Sequence, residues 1–234
     1  MVLGAQNSIP VDIPEESLLT LLGSTKKKGK ISSRLRKDIK KATKEIIHYA
    51  QPKAVIKTVP VKRKNGLAIL EDKVYLRSKK LAVILEPCRK AALFLTSIGA
   101  EVDRLIKRQM KKRPYYGFLL DAAASVAAES VASHIQTYID NGLQKDETTT
   151  LRYSPGYCDW PIDEQEKLFK FLPSSAIGVN LSKNHFMSPR KSISGIMGIC
   201  PQEPDKCSVN VCLSCLKPNC PHRRVQKDKI DVCF

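Results

Sequence analysis

The eleven residues Leu151–Pro161, Leu-Arg-Tyr-Ser-Pro-Gly-Tyr-Cys-Asp-Trp-Pro, gather a cation, a bend and three aromatic rings. Pro155-Gly156 suits the centre of a type II turn, because proline presets the first φ and glycine tolerates a positive φ at the second position. A turn of that kind exposes backbone donors and acceptors with no Cβ in the way. Arg152 can clamp a carboxylate through two parallel hydrogen bonds. Tyr157 and Trp160 offer π faces to a planar base or a positive group. Together these parts suit a small zwitterion that carries both a ring and a cation. The same residue types also build ordinary structural turns.

A second constellation lies near the C-terminus. Cys200, Cys207, Cys212, Cys215, Cys220 and Cys233 crowd together, while Cys88 and Cys158 stand alone. Clustered thiols in a reducing compartment are more often metal ligands or reactive groups than disulfides. Cys207, Cys212, Cys215 and Cys220 have the spacing to hold zinc or an iron–sulfur cluster, although the outer intervals match no common zinc finger. Surface thiols and redox-active pairs are the alternatives.

The chain has 234 residues and a formal net charge of +17. Its cations are unevenly spread. Lys26–Lys44 holds ten Lys or Arg against the single acid Asp38, and a second basic run extends from Arg104 to Arg113. Such a field attracts nucleic acid, a membrane surface or an acidic protein, or simply makes a solvated surface. No uncharged apolar run reaches membrane-spanning length. The first residues lack a basic flank and a cleavage-site pattern, so the cytoplasm is the expected location.

These groups need positioning. Pro14, Glu15 and Glu16 open a short helix, and Ser32 and Ser33 cap a second that runs to about Ala50. Alternation over Ala54–Val61, the Asn65-Gly66 turn and Leu67–Leu70 predict a hairpin. Ala91–Thr96 reads as a buried strand. An amphipathic helix over Glu101–Lys111 is followed, past Pro114, by a long one near Phe118–Ile139. In that long helix Leu120, Ala124, Ala127, Val131, Ile135 and Tyr138 fall at helical intervals, and its alanines and serines permit close approach by another backbone or a flat ligand. Gly142–Thr150 is expected to be a surface loop, and Asp163–Leu172 a helix. The mixture predicts an α+β fold with a mostly antiparallel sheet packed by helices, plus a Cys-rich tail. Three regions are expected: a basic helical part (1–52), a core (53–200) and the tail (201–234).

Arg152-Tyr-Ser-Pro-Gly-Tyr157 resembles the Arg-Pro-x-Pro-Gly-Tyr segment of the activation domain of cobalamin-dependent methionine synthase. The longer run Ser154–Gln165 is similar to stand-alone relatives of that domain. A second block agrees: Ile177–Ser182, Met187-Ser188-Pro189 and Ser192–Ile196 are similar to the family's strand, Met-x-Pro element and Ser-Gly turn. The resemblance implies S-adenosylmethionine as ligand. It assigns binding to Arg152, the backbone of Tyr153 and Ser154, Gly156, Tyr157 and the backbone of Gly195, Ile196 and Met197. An acid on the long helix is expected for the ligand's amino group: Glu129, with Ser125 the competing position one turn earlier. Asp121 and Glu129 can otherwise be helix-face acids paired with Lys or Arg. Cys158 stands where relatives usually carry a small residue.

The resemblance also implies a role. An oxidised corrinoid would be repaired by one-electron reduction coupled to methyl transfer, and the protein would orient the methyl donor without an acid, base or nucleophile of its own. The chain is too short to hold the folate, homocysteine and cobalamin modules, and has no Asp-x-His-x-x-Gly pattern. The cobalamin is therefore expected on a partner, a methionine synthase or corrinoid methyltransferase lacking its own activation domain. An acidic electron donor such as flavodoxin would suit the basic surface. An iron–sulfur or metal-bearing redox accessory is the alternative. Nucleic-acid binding ranks below both, since no standard docking motif is present and the aromatics cluster away from the basic runs. A dinucleotide-type glycine loop is also missing.

Overall fold

The computed structural model describes residues 1–3, 9–23 and 31–201. In chain order the elements begin with β1 (Val2–Leu3), α1 (Glu15–Leu21), α2 (Ser33–Tyr49), β2 (Lys53–Lys64) and β3 (Leu67–Leu70). They continue with β4 (Val74–Leu76), α3 (Lys79–Ile84), β5 (Lys90–Ser97), α4 (Ala100–Lys112) and α5 (Pro114–Asn141). The rest are β6 (Glu147–Thr149), α6 (Gln165–Phe171), β7 (Asn180–Leu181), β8 (Met187–Ser188) and β9 (Ser192–Pro201). The main sheet runs β4-β3-β2-β5-β9-β6, with β1 added to β2, and every pairing is antiparallel. This is the α+β arrangement that the sequence predicts.

Strand alternation divides the core in two. Ala54, Ile56, Ala92, Phe94, Met197 and Ile199 face α1, α2, α4 and α5. Val55, Val59, Leu93, Leu95 and Ile196 face α3, α6 and the loop around Trp160. Full burial of each Val, Leu, Ile, Phe or Met among them is worth about 1.5–3 kcal/mol, so both faces of the sheet must be covered. Ser32 caps α2 by accepting from Leu35 N (3.2 Å), and Ser78 caps α3 by accepting from Leu81 N (3.0 Å).

Helix α5 begins directly at Pro114, which suits a first helical turn because its missing N–H would have no partner there. Leu120, Ala124, Ala127, Val131 and Ile135 are buried as expected, but Tyr138 is 44% exposed and lies outside the core. Helices α2 and α4 pack beside each other and on α5. Of the described basic residues, Arg34, Arg36, Lys37, Lys40, Lys41 and Lys44 are exposed on α2, as are Arg104, Lys107, Arg108, Lys111 and Lys112 on α4. The two groups approach at Tyr116, whose ring lies 5.4 Å from Lys41 Nζ and 5.2 Å from the guanidinium of Arg113, the residue after α4. Among the described residues no helix is long and apolar enough to cross a membrane.

Four short elements escape the sequence patterns, β1, β4, α3 and β6, the last inside the segment expected to be a loop. Another expectation needs correction. Ser194-Gly195 is not a turn but lies in the middle of β9, opposite Leu95 and Phe94. Small residues there serve packing: a Cβ on Gly195 would sit 2.7 Å from Phe94 Cζ and 2.9 Å from the Tyr153 carbonyl oxygen.

Candidate binding site between helix α5 and strand β9

The Arg152 segment enters along the open edge of β9. Tyr153 and Ile196 exchange both backbone hydrogen bonds, at 3.0 and 2.9 Å. Extending that antiparallel register sets Arg152 across from Met197 and Ser154 across from Gly195. Alternation then separates neighbours: the Tyr153 ring goes to the α3 side, while Arg152 turns towards α5.

The bend forms as the sequence predicts. Tyr157 N donates to Ser154 O (3.2 Å) around Pro155-Gly156, and Gly156 has φ +90°. Two further bonds close the loop, Trp160 N to Tyr157 O and Gly156 N to Trp160 O. Asp159 fastens it to the start of α3 by accepting from Ser78 Oγ (2.7 Å), Lys80 N (3.1 Å) and the Tyr153 hydroxyl (3.2 Å). Burial alone would raise the Asp159 pKa, but these bonds outweigh it and hold it below the ordinary value. Burial, with Cys158 and Asp159 alongside, pushes the Tyr153 hydroxyl up. Downstream, Glu164 accepts from Arg77 N (2.9 Å), Arg77 Nε (2.7 Å) and Lys167 Nζ (2.6 Å). Its burial also opposes ionisation, and the same bonds more than compensate, lowering its pKa.

Trp160 does not offer a face to a ligand. It is 1% exposed and stacks on Tyr153, with centroids 5.7 Å apart and planes 5° from parallel. Tyr157, 43% exposed, is the ring left at the surface of this loop.

Arg152 and Glu129 come together across the space between loop and helix. The Arg152 side chain is 8% exposed, and its Nη2 lies 3.4 Å from Glu129 Oε2 and 3.3 Å from Ser133 Oγ. One turn earlier on α5, Ser125 meets Lys191, which the sequence did not single out. Lys191 Nζ is 2.8 Å from Ser125 Oγ and 2.9 Å from Asp121 Oδ1. Asp121, Ser125, Glu129 and Ser133 recur every four residues and so form one polar ridge on an alanine-rich helix, with about 6 Å between successive positions. Lys191 and Arg152 pair with that ridge from the two ends of the same edge. The four-residue interval was visible in the sequence; Lys191 gave no local signal.

Gly195, Ile196 and Met197 are all buried in β9, with their backbones paired to β5 and, at Ile196, to Tyr153. Beside the loop, a cleft of about 350 Å³ is lined by Ile162, Gln165, His185, Phe186, Met187 and Arg190. Ile162 and Phe186 are 45% and 72% exposed, giving this end of the molecule an apolar rim. Cys207, Cys212, Cys215 and Cys220 lie outside the described residues, among which no group of three or more His, Cys, Asp or Glu could hold a metal ion.

Comparison with known proteins gives a context for this geometry. The profile described as "Vitamin B12 dependent methionine synthase, activation domain" matches residues 88–205, half of the chain. Thirteen chains of solved structures match. One, described as the crystal structure of the MetH reactivation domain bound to AdoHcy, has a TM-score of 0.55 and 18% identity, over 73% of this chain and 66% of that one. At that identity the likeness is one of fold, and this chain spans just under two thirds of its neighbour's length. No match was found among curated protein sequences.

Proposed function

The chain belongs to the family of vitamin B12-dependent methionine synthase activation domains, and from that premise we propose that it binds S-adenosylmethionine and supports reductive reactivation of a corrinoid carried by a partner. The observation that carries the reading is the Arg152–Glu129 pair, a largely buried guanidinium and a half-exposed carboxylate on facing elements. An α-amino acid end presents the complementary charges, a carboxylate for Arg152 and an ammonium for Glu129. Ser133 and the Lys191–Asp121–Ser125 cluster extend the polar wall.

When bound, S-adenosylmethionine would supply an electrophilic methyl group for the corrinoid. The chain's own residues bind, orient and shield. Arg152 and Glu129 would fix the amino-acid end. Ser154, Gly156 and Tyr157 would present the loop to the rest of the ligand. Gly195–Met197 would act as the rigid strand against which Arg152 and Ser154 are registered, since their own amides are engaged in the sheet. Exposed Tyr157, Ile162 and Phe186 form an apolar border that would exclude water when a partner approaches. No acid, base or nucleophile is assigned, so the contribution is orientation.

Membership of the family supports a corrinoid carried by a partner. The exposed basic residues of α2 and α4 support an acidic electron-donor protein of the flavodoxin kind, steered by charge. Zinc or an iron–sulfur centre at Cys207, Cys212, Cys215 and Cys220 is the accompanying proposal, decided by iron, sulfide and zinc assays on anaerobically prepared protein. The central test is calorimetry of the full chain with S-adenosylmethionine and S-adenosylhomocysteine. Saturable binding at a 1:1 ratio is expected; absence of binding to both ligands defeats the reading.

A further inference from the structure

Two thiols that the ligand site does not use meet at the far end of β9. Cys88 lies in the turn between α3 and β5, and Cys200 is the penultimate residue of β9. Their sulfurs are 2.7 Å apart, although 112 residues separate them in sequence. Both are buried, with 5% and 1% exposure. The β5–β9 ladder fixes this meeting, because in its last pair Lys90 lies two residues after Cys88 and Ile199 one residue before Cys200. Gly198, on the same face of β9 as Cys200, makes the room: a Cβ there would lie 2.4 Å from Cys88 Sγ. The sulfurs are thus within an ångström of the bonding distance of about 2.0 Å.

We propose that Cys88 and Cys200 form a modification site, a dithiol that a small peroxide converts into an intramolecular disulfide. Cys88, the more exposed, attacks the peroxide oxygen as its thiolate. The O–O bond breaks, and the departing hydroxide takes up the thiol's proton as water, leaving a sulfenic acid on Cys88. The Cys200 sulfur then displaces that hydroxyl, which leaves as a second water with the Cys200 proton. Two thiols and one hydrogen peroxide give one disulfide and two waters, the two electrons passing from sulfur to peroxide. A small oxidant suits a pair this buried. The bond would staple the end of β9 to the α3–β5 turn and enclose nearly all of the segment that the family profile matches. It is independent of ligand binding, so either proposal can fail alone.

The test compares full-length protein kept reduced with protein treated with hydrogen peroxide, alkylated and digested with trypsin. Residues 81–89 and 192–206 form tryptic peptides containing one cysteine each, Cys88 and Cys200. The expected product is these two peptides joined, two hydrogen atoms lighter than their sum and separated by dithiothreitol. The oxidised protein should melt about 5–15 °C higher, because the crosslink restricts the unfolded chain. Cys88→Ser and Cys200→Ser should each abolish both the joined peptide and the shift. Recovery of both peptides unlinked, under treatment that oxidises the exposed Cys158, overturns the proposal. So does a link from Cys200 to a cysteine between 207 and 233.

Discussion

Replacing Arg152 separates a ligand-binding guanidinium from one that merely fills a gap between strand and helix. Its side chain is 8% exposed, so water cannot screen a bound carboxylate there as it would at the surface. Charge-assisted hydrogen bonds in such settings contribute about 1.5–3 kcal/mol, which corresponds to roughly a 10- to 150-fold weaker Kd for Arg152→Ala. The cost in stability should be smaller, about 1 kcal/mol, because the partner left behind, Glu129, is 41% exposed and can be solvated. Arg152→Lys keeps the charge but loses the planar fork, and should fall between wild type and Arg152→Ala. Glu129→Gln then fixes the sign. If Glu129 receives the ligand's ammonium, the substitution weakens binding several-fold; if it only competes for Arg152, the substitution strengthens it. Calorimetry with S-adenosylmethionine, paired with urea melts of each variant, measures both quantities. Wild-type affinity in Arg152→Ala, with the fold intact, would refute the assignment of the ligand's carboxylate to this residue.

Other expectations follow from the same structure. Glu164→Gln should destabilise the fold by about 1–3 kcal/mol at neutral pH, since it weakens three charge-assisted bonds to a buried carboxylate. Because the folded-state pKa of Glu164 is lowered, its stabilisation is complete above the unfolded value of about 4.3 and lost as pH falls through the folded value. Urea melts of wild type and variant should therefore differ most at pH 5–7 and converge in stronger acid; a gap that widens on acidification contradicts the linkage. Gly195→Ala should cost about 1–3 kcal/mol through collision with Phe94 and the Tyr153 carbonyl. An unchanged melting temperature in that variant would mean the strand does not approach so closely. Reversing Lys37, Lys40, Lys107 and Lys111 together should slow association with an acidic donor protein at low salt and leave S-adenosylmethionine affinity unchanged. Stopped-flow association rates across an ionic-strength series check this, and salt-independent rates in wild type count against docking by charge.

Much of the fold was legible because its signals are local. Ser32 marks a helix start, Asn65-Gly66 a hairpin and the alternation after Ala54 a strand, each by chemistry contained within a few residues. What stayed hidden depends on distant contacts. The short strand β6 has a polar sequence, and it is a strand only because the free edge of β9 is there to pair with it. Ser194-Gly195 looks like a turn until Phe94, a hundred residues earlier, is seen to need the space. Trp160 looks like a ligand platform until Tyr153 is found stacked against it.

The candidate site divides along the same line. Arg152 and the Pro-Gly bend are readable because they form one segment, whereas Glu129 is expected only through the family resemblance, in competition with Ser125. Lys191 is not readable, because nothing around it in sequence distinguishes it from the chain's many other lysines. Only the β9 edge, passing α5 at an angle that sets Lys191 against Ser125 and Arg152 against Glu129, converts four evenly spaced polar residues into one wall with a cation at each end. That wall is neutral in its pairs, so its attraction for a ligand cannot come from net charge. On the proposed reading it would come from exchange, in which a zwitterion replaces an internal partner at the guanidinium and the carboxylate together. Selectivity should therefore favour ligands that carry both charges at the spacing of an amino acid, and a des-carboxy analogue should lose more affinity than a des-amino one, because it leaves the buried Arg152 guanidinium without its match while Glu129 can be solvated.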